Sequence, residues 1–140
     1  MSLTEAVQAA LVTALRADTA LAALIGDRVF DDVLPDAPHP YVSLGPEDWR
    51  PIDSDDGCVA GDDGVVQIDI WSRAPGRVEC KRITDRVARI LQDAALPLAA
   101  PYSTVSCRVI LKRVLQDSGA LARHGVVQVE LMTDDGTDDD

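Results

Sequence analysis

Apolar and polar side chains alternate from Val65 to Trp71, V-V-Q-I-D-I-W, which puts Val66, Ile68 and Ile70 on one face of a strand and Gln67, Asp69 and Trp71 on the other. Then the period changes. Pro75 and Gly76 in S-R-A-P-G-R break the strand, after which Val78, Ile83, Val87, Ile90, Leu91 and Ala94 recur at helical spacing. Arg82, Arg86 and Arg89 follow i, i+4, i+7 spacing along that helix, a basic stripe beside the apolar one.

Upstream, Ser2 and Glu5 form a capping box, and Leu3, Val7, Leu11, Ala14 and Leu15 make the stripe of a first helix. Asp18 caps a second short turn, T-A-L-A-A-L-I, which Gly26 ends; Arg28-Val29-Phe30 reads as a short extended piece. The prolines of L-P-D-A-P-H-P stiffen a connection to a strand at Tyr41–Leu44. Between Gly45 and Gly64, acids, glycines and prolines displace apolar residues, so this stretch reads as a long solvated loop or the tip of an extended hairpin.

Downstream, Thr104–Leu115 alternates as a strand with Val105, Cys107, Val109 and Leu111 on one face. A turn over Gln116–Gly125 leads to a last strand, Val126–Thr133, with Val127, Val129 and Leu131 inward. The ending D-D-G-T-D-D-D is expected to be disordered by charge repulsion. Together these elements predict one α+β domain over residues 1–133, a mainly antiparallel sheet of about four strands packed against two helices, and an acidic tail over 134–140.

Composition narrows the function. Aromatics make up only 4% of the 140 residues, so the core must be built from Val, Leu, Ile and Ala. The net charge of −11 is unevenly spread: residues 47–63 hold seven acids and one base, and residues 134–140 hold five acids and no base. Residues 64–133 run the other way, with ten bases and six acids. An overall negative chain disfavours tight nucleic-acid binding, while acidic and basic patches on one chain favour ordered self-association. Solubility alone is the plainer reading of the same pattern.

Catalytic chemistry finds little support. D-S-D-D-G-C begins like a calcium loop, but counting from Asp53 puts Gly57 at position 5 and Cys58 at position 6, out of register. His39 and His124 have no spaced Cys, His or carboxylate of the kind zinc requires, and no nucleophile elbow is present. Cys58, Cys80 and Cys107 are too scattered for a metal or redox pair and read as buried or partly buried free thiols. No cofactor, metal or catalytic group is therefore assigned. The enzyme alternative is a small metal-dependent hydrolase using Asp53, Asp55, Asp62 or Asp63. No apolar run approaches a membrane span, and M-S-L-T-E-A-V-Q lacks a basic leader, so cytoplasmic synthesis is expected.

The candidate contact residues are Trp49, Asp53, Asp55, Asp56, Asp62 and Asp63 in the acidic stretch, and Arg82, Arg86 and Arg89 on the basic stripe. Trp49 either anchors a protein contact or folds back onto its own sheet. Trp71 is expected in the core. The stripe flanks the helix as solvated charge, meets the acidic stretch of a neighbouring subunit, or contacts nucleic acid.

The strings L-A-A-L-I-G-D-R-V-F-D-D-V-L-P, P-Y-V-S-L-G, V-V-Q-I-D-I-W-S-R and G-R-V-E-C-K-R-I-T-D-R-V, in that order, resemble the tail-terminator (tail-completion) proteins of long-tailed phages and gene transfer agents. The resemblance covers roughly residues 5 to 132. It implies a small α+β subunit that assembles as a hexameric ring on the head-proximal end of the tail tube, with the tube protein and the head connector as partners. DNA would pass through the ring without specific binding, and no membrane is involved. The alternative within that setting is another neck adaptor of the same particle. The run of five aspartates in residues 134–140 departs from the family pattern.

Overall fold

The computed structural model describes residues 1–33, 35–53, 59–116 and 122–136. Its elements run α1 (Leu3–Ala17), α2 (Thr19–Ile25), β1 (Val29–Phe30), β2 (Tyr41–Asp53), β3 (Val59–Ser72), α3 (Val78–Leu91), β4 (Ser103–Gln116) and β5 (Arg123–Asp134). The strands form one five-stranded sheet in the order β1-β2-β3-β5-β4, antiparallel except for the β1–β2 pair.

The α+β class and the mainly antiparallel sheet agree with expectation; the counts are five strands and three helices, where four and two were expected. The fifth strand is the short extended piece at Val29–Phe30, which pairs with Val42 and Ser43. The third helix is the short turn after Asp18, which swings 82° from α1. Asp18 Oδ1 accepts from Leu21 N at 2.8 Å as its N-cap, and the Gly26 N–H closes the other end on Ala22 O.

The sheet's inner face is aliphatic because alternation delivers it. Val66, Ile68 and Ile70 of β3 and Val127, Val129 and Leu131 of β5 are all buried, against Ile83, Val87 and Leu91 of α3 and Val7, Leu11 and Leu15 of α1. Each such side chain contributes about 1.5–3 kcal/mol when removed from water. Val78, assigned to the same stripe by spacing, is instead 59% exposed at the first turn of α3. Its place is taken by Cys80 and Thr84. They can approach β5 closely because a Cβ on Gly125 would stand 2.1 Å from Thr84 Oγ1.

Two bulges reset β4. Register shifts between Thr104 and Ser106 and between Val109 and Leu111 leave Val105 59% exposed and place Leu111 opposite Gln128 on the outer face. Only Cys107 and Val109 of the expected inward set keep that face. At the chain's end β5 extends through Asp134, and Asp135 N donates to Ala60 O, so backbone pairing continues past the expected boundary at 133. Residues 137–140 of the expected tail lie outside the described residues. Among the described residues no single helix is long and apolar enough to cross a membrane.

Candidate functional site

The acidic stretch is a hairpin arm. β2 and β3 pair from Tyr41↔Trp71 to Asp53↔Val59, so residues 45–53 and 59–64 form an extended hairpin, the second of the two readings given for this stretch, and not a solvated loop. The strand-poor composition is tolerated because β3 is backed by β5 as far as Asp63↔Met132, which satisfies its other edge. β2, by contrast, is an edge strand beyond Ser43, and Pro46 and Pro51 sit where a missing N–H costs no ladder bond to a further strand.

Trp49 folds back onto its own sheet. It is half-buried, its ring lies over Gly64 (where a Cβ would be 2.2 Å from Cε3), and its Nε1 donates to Glu47 Oε1 at 3.2 Å. Asp53 is exposed and Asp62 and Asp63 are half-buried; Asp55 and Asp56 lie outside the described residues, as does Cys58. Thr133 Oγ1 accepts from Asp62 N at 3.1 Å and donates to Asp62 O at 2.9 Å, tying β5 to the acidic arm. The structure thus brings together what the sequence separates: Glu47, Asp48, Asp53, Asp62, Asp63, Asp134 and Asp135 share one end of the sheet, with Arg50 on the same hairpin and Arg108 paired to Glu130 level with Asp48.

The basic stripe is not uniform. Arg86 is committed within its own chain: its Nε and Nη2 donate to Asp18 Oδ1 and Oδ2 at 2.9 and 2.6 Å. That fork holds the Asp18 carboxyl below the usual carboxylate range and raises the guanidinium's own value. Arg82 and Arg89 are exposed and face an open groove of about 830 Å³ between α3 and β4, whose other walls include Ala88, Gln92, Val109 and Lys112. Lys112 Nζ reaches Asp85 Oδ1 at 3.1 Å across the groove, and Gln92 Oε1 accepts from Val109 N at 2.9 Å, closing part of the β4 edge.

Spacing alone gave no sign of the polar ladder on the outer face. His124 Nε2 lies 2.7 Å from Asp69 Oδ1, which also accepts from Gln67 Nε2 at 2.9 Å, and Gln128 Nε2 donates to Gln67 Oε1 at 3.2 Å. Trp71, expected in the core, is half-buried and stacks on His124 with centroids 3.9 Å apart and planes 8° from parallel. Tyr41, opposite Trp71 in register, contacts His39 and Phe30 at 4.8 and 5.7 Å, so five rings gather at the end of the sheet away from the acids. Register was the missing information: Asp69 and His124 meet because Asp69 pairs with Val126 and Trp71 with His124.

Cys80 and Cys107 are buried thiols, as expected of them. Burial pushes both above the ordinary thiol value, Cys107 to about 11, and Cys107 Sγ donates to Leu91 O at 3.2 Å. Among the described residues no group of three or more His, Cys, Asp or Glu is placed to hold a metal ion. What the surfaces offer is charge and shape.

Comparison with known proteins gives that arrangement a context. A family model described as tail completion protein gp17 matches residues 9–134. A chain of the solved "Virion of native gene transfer agent (GTA) particle" is similar at TM-score 0.83 and 29% identity, over 95% of this chain and 98% of that one. The bacteriophage SPP1 gp17 protein has the same fold at TM-score 0.62 and 21% identity, over 96% of this chain and 94% of that one. No curated protein matches.

Proposed function

This chain belongs to the tail completion protein gp17 family, and from that premise we propose that it forms a ring capping the head-proximal end of a phage-type tail tube. The ring ends tube polymerisation and presents a joint to the head connector. The observation that carries this reading is the extent of the match. The family model spans nearly every element from α1 to β5, and the chain of the gene transfer agent particle is covered end to end. The work of such a subunit is geometric, so it requires stable faces and no reacting group.

Charge supports the reading. DNA passing through the ring meets least friction from a negative surface, because phosphates are repelled by carboxylates. The end of β5, carrying Asp134 and Asp135, supplies such a surface if it lines the passage. Subunits associate with one another and with the tube and connector proteins; six copies make the ring.

Electron microscopy of particles made without the chain tests the proposal. Overlong tubes, or tails of set length lacking heads, are expected. Normal-length tails joined to heads would overturn it, and tubes of normal length that merely fail to join heads would reassign the chain to a neck adaptor.

A further inference from the structure

The two sides of the sheet carry opposite charge, and they cannot meet within one molecule. The acidic arm is formed by β2 and β3, while the basic groove lies against β4, at the other edge of the order β2-β3-β5-β4. Three strand spacings, roughly 14 Å, separate β2 from β4. Arg82 and Arg89 are exposed and have no hydrogen-bond or ion-pair partner among the described residues, whereas their neighbours Arg86 and Lys112 are paired. Ala88 and Val109 give the groove an apolar lining beside these charges.

We propose that the groove between α3 and β4 receives the acidic β2–β3 arm of a second copy of this chain, with Arg82 and Arg89 meeting the arm's carboxylates, Asp53 and Asp62 foremost. The occupant follows from complementarity: the acids that suit two free guanidiniums are supplied by the same polypeptide, on a hairpin of the right sign at the opposite edge of the sheet. Nucleic acid suits the groove less well. Asp85 stands inside it, and the chain as a whole is strongly negative.

The contact joins two different patches, so it is heterologous. Each subunit uses its arm on one neighbour and its groove on the other, and a chain of such contacts closes into a ring or continues as a helix. This inference rests on the ring reading and adds to it the surfaces that build the ring.

Charge reversal tests it in solution. The full-length chain, R82E/R89E and D53K/D62K/D63K are each followed by light scattering across a concentration series, singly and as an equimolar mixture of the two variants. Wild-type association should weaken at least tenfold between about 50 and about 500 mM NaCl, since exposed pairs are screened. Each variant alone should be monomeric, and the mixture should associate again because Glu in one groove then meets Lys on the other arm. Circular dichroism matching the wild type keeps a folding defect from counting as support.

Association of either variant like the wild type would overturn the proposal, as would a monomeric mixture or a wild type monomeric at every concentration. So would loss, in R82E/R89E, of binding to a short duplex DNA by an otherwise monomeric chain, which would make the groove a nucleic-acid face. The ring reading fails on a different result, normal headed tails in particles lacking the chain. A ring built through other faces would leave that reading standing and remove this one.

Discussion

The two halves of the β2–β3 hairpin are opposites built on one ladder. At the root, Val42 faces Ile70 and Leu44 faces Ile68, and the pair is packed beneath the helices. Towards the tip, Arg50 faces Asp63 and Pro51 faces Asp62, with glycines at 61 and 64 and no aliphatic cluster. Backbone pairing runs through both, with register shifts between Leu44 and Glu47 and between Ile52 and Asp53, so pairing alone does not distinguish them. Side-chain burial does. The root stabilises the fold, and the tip is free to carry charge that would be costly in a core.

Substitutions should separate the halves clearly. Ile68→Ala at the root opens a cavity beneath α3 and should cost about 2–5 kcal/mol in urea unfolding. Where the halves join, Gly64→Val drives a side chain into the Trp49 ring and should cost about 1–3 kcal/mol, with Trp49 displaced and its fluorescence shifted to the red. A cost below 0.5 kcal/mol would mean Trp49 is not held there.

Asp18→Ala removes a helix cap worth about 1 kcal/mol, together with the Arg86 fork. Because the folded carboxyl lies below its unfolded value of 3.8, its contribution is present above that pH and is lost as pH falls from 3.8 through the folded value. The gap in stability between wild type and variant should therefore narrow under acid; a gap constant down to pH 2 would contradict the ion pair. Asp53→Asn at the tip should change monomer stability by no more than about 0.5 kcal/mol. A larger loss would mean that the tip, too, is part of the folded core.

Legibility followed the same divide. Alternation at Val66, Ile68 and Ile70 and at Val127, Val129 and Leu131 was readable because burial imposes period two on the residues that experience it. The arm could be read only as a loop or a hairpin tip: Gly, Pro and Asp lower β-propensity, and it is pairing with β2 rather than propensity that holds residues 59–63 extended. Bulges in β4 defeated simple alternation, since one inserted residue moves every later side chain to the other face. The contact candidates divided likewise. Arg82 and Arg89 kept the exposure that helical spacing gave them, but Arg86 was claimed by Asp18, a partner 68 positions away. No local pattern encodes that pair, nor the one between His124 and Asp69.

The tie of Thr133 to Asp62 has a consequence for how the molecule travels. By fastening the terminal strand to the arm, it holds Asp134 and Asp135 at the same pole of the sheet as Glu47, Asp48, Asp53, Asp62 and Asp63. Such a body has a large permanent electric moment. In the field of a charged assembly it rotates before it touches, arriving with one end already foremost.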